Sequence, residues 1–284
     1  MSATPSPFTP TACAGRVAII TGGGSGIGYE IARQLGLHGA KVLIMGRREA
    51  VLEKAVASLR AEGIAAISAS GDVRKPEDAE AAVALAVKTY GTLNVLVNGA
   101  AGNFLSTAEE LSTNAFRTVL DIDTVGAFNM ARSVFPHLKN NDGVIINISA
   151  NLHLYATWYQ VHASAAKAAI DSLTRSLALE WGRYQIRVVG IAPGPIADTP
   201  GMAKLGGGAA EDMVNKIIPL GRMGTKVEMG QVAVFLVSKA GAFISGDTIL
   251  ADGGSFLFRD APIPPEMVSA WSRKREKQDR QSKL

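Results

Sequence analysis

The stretch Thr21-Gly22-Gly23-Gly24-Ser25-Gly26-Ile27-Gly28 decides the fold of this chain. It follows a short β-branched run, 16–21, and opens a segment with helical spacing of its apolar residues. Glycines at a strand-to-helix turn allow a tight bend and a close approach of backbone N–H groups to a pyrophosphate, which then lies at the positive helix N-terminus. A glycine-rich string alone is weak evidence, but a strand before it and a helix after it indicate a dinucleotide site. The residues predicted to form this site are Gly22, Gly24, Ser25, Gly26, Ile27 and Gly28.

The rest of the chain alternates short β-branched runs with alanine-rich stretches of helical spacing. Strand-helix alternation of this kind predicts the α/β class, with a parallel sheet covered on both faces. Strands are predicted at 16–21, 41–45, 64–70, 93–98, 143–149, 186–192 and 248–251. Helices are predicted at 50–62 and 76–90, among others, the second opened by Pro76.

Composition indicates one main domain. The chain has 284 residues and shows no break in composition before about residue 258. We predict a flexible N-terminal arm at 1–13, a single nucleotide-binding domain at 14–258, and a basic tail at 259–284. The glycine- and proline-rich stretch 196–219 interrupts the pattern and is typical of a lid over a site at the strand ends.

Charge and cysteine content exclude several classes of function. The tail carries a surplus of three positive charges out of the formal net charge of +4, which leaves too little for a nucleic-acid-binding face on the rest. One cysteine, Cys13, permits no intrachain disulfide and no four-cysteine metal site, and no metal site is predicted. No segment approaches the run of about 18 apolar residues that a membrane helix requires.

The two ends of the chain differ in targeting signals. Residues 1–15 lack the charged start and apolar centre of a secretory signal. The final tripeptide Ser282-Lys283-Leu284 is the pattern that the peroxisomal import receptor reads. The sequence therefore predicts that receptor as a partner and the peroxisome as the location.

The end of the second predicted strand favours NADPH over NADH. An Asp or Glu at this position binds the ribose 2′-hydroxyl of NAD. The segment 41–48 contains no acid and ends in Arg47-Arg48. Guanidinium groups suit the 2′-phosphate of NADPH, although two solvated arginines at a helix start are the alternative interpretation.

Several motifs in order resemble the short-chain dehydrogenase/reductase family over about residues 14–255. They are TGGGSGIG (21–28), Asp72-Val73, NGAAG (98–102), INIS (146–149) and PGPI (193–196). The resemblance implies a Rossmann-type doubly wound sheet of seven strands in the order 3-2-1-4-5-6-7, and a homotetramer. It also implies cofactor contacts from Asp72 and Val73 at the adenine, from Asn98 and Ala100 along the cofactor, and from Pro193, Gly194 and Ile196 beside the nicotinamide.

The catalytic pattern of that family is incomplete here. The family commonly uses a Tyr four residues before a Lys, with a Ser 13 residues before that Tyr. Lys167 matches the lysine and is expected to hold the nicotinamide ribose, but the two hydroxyl positions are Ala163 and Ala150. Asp123 stands where the family commonly has an Asn, and we include it among the candidate catalytic residues. Either the fold is a non-catalytic NADPH-binding regulator, or its chemistry does not need the tyrosine.

A closer resemblance favours the second possibility. NGAAGNF (98–104), DIDT (121–124), QVHASAAKAAID (160–171) and APGPI (192–196) are similar to the peroxisomal 2,4-dienoyl-CoA reductases. That subfamily lacks the tyrosine and is thought to use the lysine with an aspartate one turn later. Asp171 is at i+4 from Lys167, and we expect the two to form a pair on one buried helical face. An exposed helical ion pair worth about 0.5 kcal/mol is the alternative.

This resemblance implies NADPH-dependent reduction of a 2,4-dienoyl-CoA to a 3-enoyl-CoA, a step in the β-oxidation of unsaturated fatty acids. Hydride delivered to the distal diene carbon places negative charge on the thioester oxygen, which needs hydrogen-bond donors. Asp171, directly or through water, is the expected proton donor to the α-carbon. Backbone N–H groups, Asn103 and Ser149 remain alternative donors to the thioester oxygen. A trans-2-enoyl-CoA reductase is the nearest alternative enzyme, and a 3-oxoacyl reductase is less favoured because it needs the absent tyrosine.

The remaining candidates line the expected substrate pocket. Tyr155 and Tyr159 lie 12 and eight residues before Lys167, away from the family's tyrosine position, and are predicted to contact substrate. Phe104 is predicted to contact the acyl chain, with core packing as the alternative. His153 and His162 are the less favoured candidates for proton transfer.

Overall fold

The computed structural model describes residues 6–204, 211–259, 262–264, 266–270, 273 and 275. Its centre is one parallel sheet in the order β3-β2-β1-β4-β5-β6-β7. The strands are β1 (Val17–Thr21), β2 (Lys41–Gly46), β3 (Ala66–Ser70), β4 (Val95–Asn98), β5 (Gly143–Ile148), β6 (Ile186–Pro193) and β7 (Thr248–Ala251). This confirms the α/β class, the seven predicted strands and their order.

Nine α-helices lie within residues 6–204 and 211–259. They are α1 (Gly26–Leu37), α2 (Glu49–Ala61), α3 (Pro76–Tyr90), α4 (Thr113–Leu120), α5 (Gly126–Leu138), α6 (Val161–Trp181), α7 (Pro200–Lys204), α8 (Glu211–Lys216) and α9 (Lys226–Val237). The helix predicted at 76–90 has those bounds because Pro76 suits the first turn and Gly91, at φ 80°, ends the helix in the left-handed region.

The core occupies both faces of the sheet. Alternate residues of a strand point to opposite faces. Accordingly Ile20 and Ile44 pack with α1, α2 and α9, whereas Ile19 and Leu43 pack with α3, α5 and α6. Burial on both faces explains why the strands are continuous apolar runs instead of alternating patterns.

The register of the strands brings their carboxyl ends to one edge. Thr21 at the end of β1 is opposite Met45 of β2 and Asn98 of β4. Ile148 at the end of β5 is opposite Ile191 of β6. The loops that leave this edge hold most of the predicted cofactor and substrate residues, which is the usual place for a ligand on an open α/β sheet, whereas the three candidate catalytic residues lie on helical segments.

The described part of the predicted flexible arm contacts the domain. Ser6 Oγ lies 2.7 Å from His38 Nε2, and Phe8 contacts the same ring edge-on. Cys13 is 1% exposed, and burial raises the pKa of its thiol to about 11. Phe8, Ala12 and Cys13 therefore pack against the folded domain, whereas residues 6, 7 and 9–11 are exposed, and the arm at 1–13 stays a prediction.

Two other predicted segments, the stretch 196–219 and the tail 259–284, are only partly described. Stretch 196–219 contains α7 and α8, and Ile196 pairs with Gly224 at its base. Residues 205–210 of this stretch, like the terminal tripeptide, lie outside the described residues. Among the helices that the structure describes, none has the length and apolar character to cross a bilayer.

Candidate active site

The glycine-rich turn between β1 and α1 has no room for side chains at two positions. Gly22 has φ 68°, and a Cβ there would lie 2.6 Å from the Gly99 carbonyl oxygen. A Cβ on Gly28 would lie 2.6 Å from the Gly22 carbonyl oxygen. The N-cap side chain of α1, Ser25, makes no capping hydrogen bond, so it leaves the first-turn N–H groups available. A tight backbone cradle at a helix N-terminus fits a dinucleotide pyrophosphate.

Gly22 can be tested against a matched glycine. Gly22→Ala should destabilise the fold by clearly more than Gly63→Ala, because Gly63 shares the positive φ, 80°, but has no atom within 4 Å of an added Cβ. The shared left-handed strain costs about 1–2 kcal/mol. Melting temperatures and nicotinamide-cofactor affinities of both variants measure the difference. Equal destabilisation, with unchanged affinity in both, would contradict the cradle.

The second strand ends in two exposed arginines. Arg47 and Arg48 follow Gly46, and Arg48 is the N-cap of α2. The neighbouring carboxylate of Asp72 is held by Arg74, whose Nε lies 3.0 Å from Asp72 Oδ1. Arg74 foremost, with a smaller contribution from Arg47, holds the pKa of Asp72 below its ordinary value. Asp72 is thus an anion beside the arginine pair, and Val73 beside it is buried.

The carboxyl ends of β1, β4 and β5 are joined by buried hydrogen bonds. Thr21 Oγ1 accepts from the N–H groups of Gly99 and Ala100, at 3.0 and 3.1 Å. Asn98 Nδ2 donates to Asn147 Oδ1 at 2.9 Å. The predicted cofactor residues Asn98 and Ala100 therefore hold the strand ends together, and their contact with a cofactor remains a prediction.

The end of β6 packs closely on the loop after β7. Pro193 ends the strand, and a Cβ on Gly194 would lie 2.6 Å from Asp252 Cβ. Ile196, 3% exposed, is packed into the core. These contacts place the predicted nicotinamide-flanking segment next to Asp252, a residue that sequence reasoning missed.

Asp123 and Lys167 form a buried ion pair. Asp123 lies in a π-helical turn, Asp121–Val125, which joins α4 to α5. Its Oδ2 is 2.9 Å from Lys167 Nζ, and its Oδ1 accepts the N–H of Gly102 at 2.7 Å. Lys167 Nζ also donates to the carbonyl oxygen of Ile148 at 2.9 Å. Since an ammonium has three N–H donors, one remains beyond these two contacts.

The expected pairing of Lys167 with Asp171 is wrong. Both side chains are buried, as a buried helical face requires, but their polar ends go to other elements, all within the described part of the chain. Lys167 contacts Asp123, and Asp171 Oδ2 lies 2.7 Å from His153 Nε2. The helical spacing places two side chains on one face, but it does not show which partners the neighbouring turns bring to them.

His153 is the main residue that sequence reasoning undervalued. It ends a short 3-10 turn, Asn151–His153, directly after β5. It lies 18 residues before Asp171 on a different element, so no helical or strand spacing relates the two residues. Its one signal is that it follows a strand whose carboxyl end reaches the site edge.

The same turn carries a second buried contact. Asn151 Nδ2 donates to Asp252 Oδ2 at 2.9 Å and to Ser255 Oγ at 2.8 Å. Burial acts to raise the pKa of Asp252, but hydrogen bonds from Asn151, Ser255 and the backbone N–H groups of two neighbours outweigh it and lower that pKa. Asp252 is therefore a stable carboxylate that anchors the turn.

The predicted substrate residues lie in the loops after β4 and β5. Ser149 is 3% exposed, and its Oγ has no hydrogen-bond partner among the described protein atoms. Asn103 Nδ2 donates to Gln160 Oε1 at 2.7 Å, which fixes the amide. Phe104 stacks on His162, with ring centroids 4.2 Å apart. These contacts restrict the side chains of Asn103 and Phe104.

The two tyrosines differ in exposure. Tyr155 is half-buried, and burial foremost raises the pKa of its hydroxyl. Tyr159 is exposed, has φ 63°, and accepts the N–H of Ser106 with its carbonyl oxygen at 3.0 Å. Neither residue forms a hydrogen bond or ion pair with Lys167 among the contacts of the described residues, so their predicted role in substrate binding stays a prediction.

Together the glycine cradle, the carboxyl ends of the strands at one edge of the sheet and the buried lysine define a nucleotide-dependent oxidoreductase of Rossmann type. The chain belongs to the short-chain dehydrogenase/reductase family. A family model described as enoyl-(acyl carrier protein) reductase matches residues 22–255. The crystal structure of a short chain dehydrogenase from Bacillus anthracis superposes with a TM-score of 0.80 at 34% identity, covering 89% of this chain and 100% of that one.

Curated relatives carry a more specific name. An Arabidopsis thaliana protein named peroxisomal 2,4-dienoyl-CoA reductase [(3E)-enoyl-CoA-producing] is 52% identical over 97% of this chain and 96% of its own length. A Rattus norvegicus protein with the same name is 43% identical, over 88% and 87%. A Bacillus subtilis relative, 39% identical over 85% of this chain and 97% of its own, is named probable 2,4-dienoyl-CoA reductase [(2E)-enoyl-CoA-producing].

Proposed function

We propose that this protein is a peroxisomal, NADPH-dependent 2,4-dienoyl-CoA reductase that forms a trans-3-enoyl-CoA. The observation that carries the proposal is a buried acid, Asp171, one helical turn from the Asp123–Lys167 pair, in a site with alanines at both hydroxyl positions. Such a site lacks the tyrosine that carbonyl reduction needs but retains an acid for carbon protonation. The names of the relatives agree with this substrate.

The cofactor is held by residues of this chain at three places. The glycine cradle and the start of α1 receive the pyrophosphate, and Arg47 and Arg48 receive the 2′-phosphate. Lys167 would offer its remaining N–H donor to the nicotinamide ribose. NADPH, when bound, supplies the hydride that reaches the distal diene carbon.

The chain's own residues then stabilise the negative charge on the thioester oxygen and supply the proton to the α-carbon. Asp123 holds the lysine ammonium in a single orientation through a bond of 2.9 Å. The unpartnered Ser149 hydroxyl supports its role as a donor to the thioester oxygen, and Asn103, whose amide is fixed by Gln160, is the alternative donor. Asp171 donates a proton to the α-carbon, directly or through a water, and solvent water returns the proton. Protonation at the α-carbon leaves the double bond between carbons 3 and 4.

A parallel assay tests the function. NADPH absorbance is followed with 2,4-hexadienoyl-CoA, crotonyl-CoA and acetoacetyl-CoA. Oxidation with the dienoyl thioester alone is expected. Turnover of crotonyl-CoA indicates a 2-enoyl reductase, turnover of acetoacetyl-CoA a ketone reductase, and NADPH binding without turnover a regulator. Running the dienoyl reaction in D₂O should place deuterium at the α-carbon, whereas deuterium at the γ-carbon would indicate a 2-enoyl product.

The arginine pair should determine the choice of cofactor. Replacing Arg47 and Arg48 with Ala should weaken NADPH by roughly 10- to 150-fold and leave NADH almost unaffected, because a charge-assisted contact is worth about 1.5–3 kcal/mol. Arg132→Ala, which removes another exposed arginine, on α5, is the control. Binding titrations with both cofactors measure the change. Equal weakening of NADH and NADPH would mean that the arginines only support the fold.

Four further parts of the proposal concern location, assembly and access to the site. The peroxisomal names of the relatives support the same location for this chain. The import receptor is the proposed reader of Ser282, Lys283 and Leu284. A homotetramer and a lid at 196–219 complete the proposal, and sedimentation and substrate-dependent proteolysis test them.

A further inference from the structure

The ring of His153 is bonded to the acid that we assign to proton transfer. His153 Nε2 lies 2.7 Å from Asp171 Oδ2, and the two side chains are 14% and 8% exposed. The bond joins the turn after β5 to the middle of α6. It therefore connects the loop that carries Ser149 with the helix that carries Lys167.

Each member of this pair keeps one buried atom without a partner. Asp171 Oδ1 and His153 Nδ1 form no hydrogen bond with the described protein atoms. The neighbouring charges are already paired, Lys167 with Asp123, and Asp252 with hydrogen-bond donors that include Asn151. The Oδ1 oxygen of Asp171 is open to a chemical explanation, because Oδ2 already makes the contact between the turn and the helix.

The chemistry of a carboxyl group supplies that explanation. A protonated carboxyl carries its hydrogen on one oxygen, and the other oxygen is the better acceptor. If the imidazole N–H donates to Oδ2, the acidic hydrogen is on Oδ1, the oxygen that is free of protein partners. The ring thus selects which oxygen is able to give up a proton.

We propose that His153 is a positioning residue that keeps the transferable proton of Asp171 on Oδ1 by donating its own Nε2–H to Oδ2. The proposal rests on the reductase function proposed above. In the step, the O–H bond at Oδ1 breaks and a C–H bond forms at the substrate α-carbon, with the proton passing directly or through one intervening water, and the O–H electron pair stays on Asp171. The resulting carboxylate keeps the same hydrogen bond, and water from solvent restores the proton.

Two substitutions separate the hydrogen bond from the space that the ring fills. His153→Gln retains an N–H donor at the position of Nε2, whereas His153→Leu removes it at similar volume. The Leu variant should lose about 10- to 100-fold in kcat, at or below the low end of the range for general acid catalysis. The Gln variant should regain most of this loss. KM, NADPH affinity and melting temperature should change little in the Gln variant.

A double-mutant cycle distinguishes positioning from general support of the fold. If His153 acts only through Asp171, His153→Leu adds no further loss of kcat in an Asp171→Asn background. Independent, additive losses would overturn the proposal. His137→Leu is the control. His137 lies on the last turn of α5, near the amino end of β5 and therefore at the edge of the sheet opposite to the site. This variant should keep full turnover.

The outcomes distinguish a failure of this proposal from a failure of the proposed reductase function. If the wild-type protein does not oxidise NADPH with 2,4-hexadienoyl-CoA, the reductase function fails. If it does, but the Leu variant matches its kcat, only the role of His153 fails. Should the Leu variant not fold, His153→Asn replaces it, because its shorter amide does not reach Oδ2; wild-type turnover in that variant would equally overturn the role.

Discussion

Asp171→Asn should lower turnover of 2,4-hexadienoyl-CoA by about 100-fold or more, within the range attributed to general acid catalysis. The amide has the size of the carboxyl and keeps a hydrogen bond to His153, but it has no proton to give at neutral pH. NADPH affinity should change little, because the lysine that we assign to the ribose is paired with Asp123 instead. Stopped-flow absorbance and a binding titration measure the two quantities.

The control for this variant is on the same helix. Glu180→Gln neutralises an exposed carboxylate near the end of α6 and should leave turnover unchanged. If Asp171 served only the stability of the fold, the Asn variant would melt at a lower temperature and keep its turnover. A fully active Asn variant would remove Asp171 from the mechanism.

Lys167→Ala should damage turnover, NADPH affinity and stability together. The variant loses the proposed ribose contact and leaves the Asp123 carboxylate, 1% exposed, without its cation. Breaking one partner out of a buried ion pair typically costs about 3–5 kcal/mol. Lys88→Ala, at an exposed lysine on α3, controls for the loss of a positive charge. Turnover, binding and denaturant unfolding are measured on both variants.

A second substitution separates the two effects of Lys167. Adding Asp123→Asn to Lys167→Ala removes the unpaired buried charge and should recover much of the lost free energy of unfolding. Turnover should not recover, because the ribose contact is still missing. Recovery of turnover in the double variant would show that the lysine matters only for burying Asp123.

Most of the fold could be predicted from local patterns. Strand bounds differ from the prediction by at most two residues, and α3 begins at Pro76 and ends before Gly91 as predicted. These features depend on apolar periodicity and on the backbone preferences of proline and glycine, which act over a few residues. The contact between Ser6 and His38 escaped prediction because the two residues lie 32 positions apart along the chain.

The sequence by itself determined which chemical groups this protein has. It placed a glycine turn after the first strand, two arginines after the second, a lysine and an aspartate one turn apart in a long helix, and alanines at Ala150 and Ala163. Those residues already exclude a catalytic tyrosine at the family's usual position and favour a carboxylic acid as the proton donor. Each is a matter of residue identity or of spacing within one element.

Only the tertiary structure decided how those groups are paired. Helical spacing put Lys167 and Asp171 on one face, but the π-helical turn brought Asp123 to the lysine and the turn after β5 brought His153 to the aspartate. Their partners lie 44 and 18 residues away along the chain. The order of the strands and the packing of the elements decide that these residues come within hydrogen-bond distance. Pairing between elements is set by the whole sheet, because a buried charge takes whichever partner the packing places within hydrogen-bond distance.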